Sequence, residues 1–201
     1  MQPFHLIYPL AEILQTRFAE VCEPGQCVIA GSLRRKASAI AAAENAAVGA
    51  KLAEGVVKDI ELLCYPTPGV SMFMEPTYER TPLYDLVRDL LADGTFAWGE
   101  DKKDGPRYKK LFFPAGNIYL DLFICFPPAQ WGYQMAVRTG PWQYSKWLVT
   151  QRRYGGALPS YLKVEDAGLY NGRKLIPTPT EESFFQALGL LTPAPHERNV
   201  E

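Results

Sequence analysis

Histidine is nearly missing from this chain of 201 residues: His5 and His196 stand at opposite ends. The four cysteines, Cys22, Cys27, Cys64 and Cys125, show no Cys-x-x-Cys spacing. A Cys/His zinc site is therefore not expected, and buried thiols in a reducing cytosol are. No run of about 18 apolar residues occurs, so no transmembrane helix is expected. Residues 1–14 lack the basic start and small-residue cleavage site of a signal peptide. Excess charge is missing too: 21 Lys plus Arg face 22 Asp plus Glu, a net charge of −1. That balance argues against a protein coated in positive charge to package nucleic acid, but it hides how charge is distributed. What is present, 47% hydrophobic and 21% charged residues, suits one globular domain, or two small ones sharing a core. Disorder, collagen and coiled coil are excluded as descriptions of the whole chain.

Hydrophobic spacing predicts a helix over residues 6–21, stopped by Pro24-Gly25. A buried strand over residues 27–30 runs into Gly31-Ser32. The Ala-rich segment 36–57 reads either as a helix or as a flexible insertion. Residues 58–65 form a strand whose alternation sets Asp59 and Glu61 on one face and Ile60 and Leu62 on the other. Thr81-Pro82 opens a helix with an apolar stripe from Leu83 to Leu91. Residues 107–113 and 116–126 read as a hairpin around Pro114-Ala115-Gly116, with Tyr119, Asp121 and Phe123 on one face. Helices follow at 129–137 and 142–153, then two short strands over 161–176 with a turn at Asn171-Gly172. Thr180 caps a last helix that ends at Gly189. A boundary near residue 127 separates a sheet-bearing part from a smaller helical and hairpin part.

Three carboxylates, Asp59, Glu61 and Asp121, lie inside runs of strand-forming apolar residues. Such groups are costly beside a core unless paired or bound to a cation. If strand 116–126 neighbours strand 58–65, all three share a face, and clustered carboxylates need a divalent cation to sit together. Oxygen-only donors favour Mg²⁺ or Mn²⁺, and two such ions suit in-line phosphoryl transfer. The competing reading is a set of acids on the solvent face of a half-exposed sheet. Gly31-Ser32, a glycine turn opening a helix, makes an anion site. Arg34 and Arg35 behind it can neutralise a triphosphate with forked hydrogen bonds. Trp131, Trp142, Trp147, Tyr133, Tyr144 and Tyr154 are interleaved with Arg138, Lys146, Arg152 and Arg153, a mixture that binds nucleic acid or fills a core. Core is favoured for Trp131 and Trp147, nucleic acid for Arg152 and Arg153.

In this order the residues resemble the nucleotidyltransferase superfamily, and within it the family X DNA polymerases. The matching pieces are Gly31-Ser32-Leu33-Arg34-Arg35, Asp59-Ile60-Glu61, Tyr119-Leu120-Asp121-Leu122-Phe123 and Arg138-Thr139-Gly140. Leu188-Gly189-Leu190 with Pro193, Pro195 and Arg198 is similar to that family's thumb ending. Trp131-Gly132 and the run from Gln151 to Pro159 look most like the short phage and bacterial versions.

The resemblance implies an α+β fold: a palm over residues 1–127, with a mixed sheet flanked by helices and the insert 36–57, then a small α/β thumb over 128–201. It implies a DNA polymerase of replication or repair, acting as a monomer in a bacterial or phage-infected cytosol, with no membrane association. Its partners would be a dNTP and primer–template or gapped DNA, its cofactor Mg²⁺ or Mn²⁺. Asp59 and Glu61 would bind both metals, and Asp121 the catalytic one. Ser32 and Arg35, with Gly31, would hold the nucleotide's phosphates, and Thr139 and Gly140 would form the turn under its sugar. Arg138, Lys146, Arg152 and Arg153 would hold template and primer backbones.

The sequence departs from that family at several points. The chain opens only thirty residues before Gly31, so the family's lyase domain and helix-hairpin-helix clamps are expected to be absent, and lyase activity with them. The stretch from Arg35 to Asp59 is longer than usual, Glu61 stands where Asp is commoner, and Val137-Arg138 replaces an aromatic pair. The sugar-site departure keeps open a template-independent transferase acting on RNA ends or a small acceptor. A DNA-binding module with a disabled site is the non-enzymatic reading. Charge is uneven: residues 138–174 carry +5 and residues 102–110 carry +4, which leaves −10 for the remainder, including the three candidate ligands.

Overall fold

The computed structural model describes residues 1–199. In chain order the strands and helices are β1 (Gln2–Pro3), α1 (Phe4–Ala19), β2 (Cys22–Ile29), α2 (Gly31–Ala41), α3 (Ala46–Ala53), β3 (Val56–Val57), β4 (Asp59–Pro66), β5 (Gly69–Val70), β6 (Pro76–Thr77), α4 (Pro82–Ala92), β7 (Ala97–Asp104), β8 (Tyr108–Phe113), β9 (Ile118–Ile124), α5 (Trp131–Thr139), α6 (Trp142–Val149), β10 (Leu162–Glu165), β11 (Gly168–Asn171), β12 (Lys174–Ile176) and α7 (Glu181–Ala187). The fold is α+β. The chain forms two compact units: Met1–Ile29 with Ala50–Phe126, and Ala30–Gly49 with the chain from Pro127 onward. The division after Phe126 falls beside the sequence boundary. Residues 30–49, assigned by sequence to the first part, belong to the second.

The first unit is built on a five-stranded mixed sheet in the order β2-β4-β9-β8-β7. Only the β4–β9 pair is parallel. Helix α1 buries Phe4, Ile7, Ala11, Leu14 and Phe18, a stripe with steps of three and four residues, and packs on β2. Ile60 and Leu62 on β4, with Leu120 and Leu122 on β9, are fully buried. Residues that alternate with them, Asp59, Glu61, Tyr119, Asp121 and Phe123, therefore share the opposite, half-buried face. The hairpin read from sequence is present, its turn a short 3₁₀ segment over Pro114–Gly116. Thr81 caps α4, accepting a hydrogen bond from the Tyr84 amide, with Pro82 in the first turn.

In the second unit α5, α6 and α7 pack with the antiparallel sheet β10-β11-β12. Its core holds Tyr133, Ala136, Leu148, Leu169, Phe184, Phe185 and Leu188. Sequence spacing gave two strands here and the structure has three. The added turn is at Asp166-Ala167, both with positive φ, the backbone of a tight hairpin turn. The Asn171-Gly172 turn lies where the sequence put it. Gly132 allows α5 to approach the extended segment leading into α7. A Cβ there would lie 1.9 Å from the Thr180 carbonyl oxygen. Of residues 36–57, left open between helix and flexible insertion, the end of α2 and all of α3 are helical, and Val56–Val57 form β3.

Candidate active site

The parallel register of β4 and β9 pairs Asp59 with Tyr119, Ile60 with Leu120 and Glu61 with Asp121. Two carboxylates thus stand side by side on neighbouring strands, and Asp59 is two residues along on the same face. Like charges directly opposed destabilise a sheet, so the arrangement calls for positive charge at this spot. One source is built in: β8 places Lys110 opposite Asp121 on the other side. The Lys110 ammonium lies 4.8 Å from the Tyr119 ring centre. A second contact comes from Tyr108, whose hydroxyl donates to Asp121 Oδ1 at 2.7 Å. Sequence reading passed over Tyr108. The hairpin register through Pro114-Ala115-Gly116 could have found it, since that turn sets Tyr108 against Phe123, one pleat along from Asp121. All three candidate ligands offer carboxylate oxygen, the donor set of a hard divalent cation such as Mg²⁺ or Mn²⁺ and a poor one for softer metals.

The glycine-serine turn opens the second unit. Gly31 is the first residue of α2 and has φ +58. A side chain there would be strained, which is why glycine holds the position. The N-cap residue, Ala30, has no side chain able to cap, and the first turn carries no acid. The amides of the first turn lack intrahelical partners, so the helix start with the half-buried Ser32 suits an anion.

The two arginines behind this turn do different work. Arg34 makes a forked pair with Glu181 at 3.1 and 2.8 Å and donates to the Thr139 hydroxyl. Arg198, 1% exposed, donates to the same carboxylate at 2.6 Å. Arg34 is therefore a structural cation and not one free for a triphosphate. Arg35 donates to the Thr139 carbonyl oxygen at 2.6 Å. Both arginines thus brace the end of α5 where Thr139 meets Gly140. Thr139 is fully buried and its hydroxyl is engaged, so this turn offers a ligand its backbone and the face of Gly140.

The remaining basic residues also separate. Lys146 on α6 and Arg153 are exposed, and Arg153 stacks on the Tyr154 ring at 4.8 Å. Arg152 spends its guanidinium on the Leu188 and Ala157 carbonyls, clasping the end of α7. Its role is at least partly structural, against the sequence preference for nucleic acid. Arg138 is half-buried on the last turn of α5. Trp147 packs against the unit's core, as expected, and Trp131 is half-buried. Trp142 and Tyr154 are each 70% exposed. In the basic hairpin of the first unit, Lys109 is buried and paired with Asp104, while Lys102 and Lys103 on the edge strand β7 are exposed.

No protein-family model matches this chain, and no curated protein is significantly similar to it.

Proposed function

We propose that this chain is a DNA polymerase of the nucleotidyltransferase type, similar to the short family X enzymes. It would transfer a nucleotidyl group from a dNTP to a primer 3′-hydroxyl and release pyrophosphate. The observation that carries this reading is the β4–β9 register, which sets Glu61 beside Asp121 with Asp59 on the same face. Asp59, Glu61 and Asp121 would hold Mg²⁺ or Mn²⁺. Such an ion neutralises phosphate charge and makes a hydroxyl easier to deprotonate. The rest falls to the chain's own residues. Tyr108 fixes the rotamer of Asp121. The start of α2 and Ser32 accept the phosphates, with Arg35 beside them. The Thr139-Gly140 turn, braced by Arg34 and Arg35, lies against the sugar. Arg138, Lys146 and Arg153 take backbone phosphates, and the exposed ring of Trp142 and the face of Tyr154 away from Arg153 stack on bases. Catalysis is then positioning and electrostatics, with no covalent intermediate. The working setting is a monomer on primer–template or gapped DNA in a bacterial or phage-infected cytosol. Among the described residues, no helix is long and apolar enough to cross a membrane.

The test is a primer-extension matrix: dNTPs against rNTPs, on templated, gapped and single-stranded primers, with Mg²⁺ or Mn²⁺. Templated dNTP addition is the expected result. Untemplated rNTP addition would mark the transferase of RNA ends or small acceptors, the reading that Val137-Arg138 keeps open. DNA retained tightly with no incorporation would mark a binding module. The same assay run against salt should show modest DNA affinity that falls steeply as salt rises, because exposed cations facing phosphate act by counterion release. Affinity that hardly responds to salt would contradict the assignment of Lys146 and Arg153.

Tyr108→Phe should lower the single-turnover incorporation rate by about 10-fold or more, since the hydroxyl orients a proposed ligand from behind. Its KM for dNTP should change less, because the nucleotide is held elsewhere. An unchanged rate would remove Tyr108 from the site.

A further inference from the structure

Strand β2 does not run evenly beside β4. Cys27, Val28 and Ile29 face Cys64, Leu63 and Leu62 one to one, yet Cys22 faces Pro66. Five steps along β2 therefore span two steps along β4, and the surplus bulges outward with Pro24 and Gly25 exposed. Gly25 takes φ +73 at the tip, a conformation that glycine permits. Cys64 and Pro66, two residues apart, share a face of β4, so Cys22 and Cys27 opposite them share it too. The bulge thus turns two sulfurs of one strand toward a third on its neighbour. The three Sγ atoms all lie within 4.8 Å of one another, with Cys27 and Cys64 at 3.5 Å. All three residues are buried and carry free thiols. This face, shared with Ile60 and Leu62, is opposite the one bearing Asp59 and Glu61.

We propose that Cys22, Cys27 and Cys64 form a three-sulfur site for one thiophilic metal ion, Cu⁺ or Zn²⁺, that clamps the β2 bulge to β4. The spacing fits. Three donors about 2.3 Å from a central ion in a trigonal plane stand about 4.0 Å apart, within the span the sulfurs occupy. The donor type fits as well, since thiolates select soft ions and exclude Mg²⁺ and Ca²⁺. Among the described residues the group holds three cysteines and no fourth His, Cys, Asp or Glu donor. That matches trigonal Cu⁺ directly, while Zn²⁺ would complete its shell with water. Cys22, 8% exposed beside the open loop, gives the ion a way in. Each thiol that ligates releases its proton to solvent. The sequence argues against a Cys/His zinc site, because the cysteines lack Cys-x-x-Cys spacing and the two histidines stand at opposite ends. The bulge is what brings them together.

The experiment uses the full, fully reduced chain, titrated separately with Cu⁺ and with Zn²⁺ against competing chelators, then desalted and analysed for metal. One ion of either kind per chain is expected, with the thermal midpoint raised by about 5–10 °C. Cys22→Ser and Cys27→Ser should each lose about 100-fold in affinity and the thermal shift, while Cys125→Ser, outside the group, keeps both. Circular dichroism of each metal-free variant separates lost binding from lost folding. Cys22→Ser, at the edge of the cluster, is the variant expected to fold normally. No retained ion, retention unchanged in Cys22→Ser and Cys27→Ser, or a Cys27–Cys64 disulfide persisting under thiol reductant in place of metal uptake would each overturn the proposal.

Discussion

Replacing Asp121 by alanine should reduce Mg²⁺-dependent nucleotide incorporation by about 10³-fold or more while leaving the fold intact. The size follows from what would be lost. Metal-borne stabilisation of a phosphoryl transition state amounts to several kcal/mol, and each 1.36 kcal/mol is about tenfold in rate. The fold should survive because Asp121 is half-buried on the sheet face away from the core, where Leu120 and Leu122 point. Removing one of two adjacent like charges even relieves repulsion with Glu61. Against that relief stands the lost hydrogen bond from Tyr108, worth about 0.5–1.5 kcal/mol. The variant should therefore melt within a few degrees of the wild type while losing activity, and that combination separates a functional acid from a structural one. Asp121→Asn makes the same point with less change of shape. Wild-type incorporation by either variant would remove Asp121 from the chemistry.

The largest effect on stability is expected from Glu181→Ala. Its carboxylate holds Arg198, which is 1% exposed, and half-buried Arg34, with a single acid between two cations. Taking the acid away leaves a buried guanidinium without its counter-charge, a loss of about 3–5 kcal/mol. Arg34→Ala should cost less, because Arg34 keeps more contact with solvent and Glu181 keeps Arg198. The same trio gives the second unit an acid sensitivity. Burial alone would raise the Glu181 carboxyl, but the hydrogen bonds from Arg198 and Arg34 outweigh burial and hold it below its ordinary value. A carboxyl lowered in the folded state contributes stability above its unfolded value and loses it as pH falls through the folded value. Stability should therefore drop on acidification from about pH 4.3, the ordinary glutamate value, downward. Glu181→Ala should flatten that limb. Urea unfolding at several pH values checks both points, and a loss below about 1 kcal/mol would show that the trio is not a stability centre.

The helices and central strands were legible because each carries its own pattern: the stripe of α1, the Thr81-Pro82 start of α4, the Thr180 cap of α7, the alternation of β4 and β9. The three carboxylates could be placed on one face from alternation alone. Their side-by-side register could be inferred only by assuming the strands adjacent, and the parallel β4–β9 ladder pairs Glu61 with Asp121. Strand β7 was missed because Ala97–Asp104 is polar and lacks alternation. It is an edge strand, where charged side chains reach water and the backbone alone makes the pairing. The different fates of Arg34 and Arg35 were not readable locally, since Arg34's partner Glu181 lies 147 residues away. The same is true of Arg152, whose carbonyl partner Leu188 is 36 residues on. The cysteine cluster was hidden because its cause is a bulge, and a bulge leaves no periodic signal beyond Pro24-Gly25.

The most direct measurement is single-nucleotide incorporation on a gapped primer–template, followed by both primer length and pyrophosphate release. The polymerase reading requires Mg²⁺- or Mn²⁺-dependent addition of the templated dNTP, with one pyrophosphate per nucleotide added, abolished in Asp121→Ala. Failure of the folded wild-type chain to extend any primer under these conditions, or extension that survives Asp121→Ala, would contradict it.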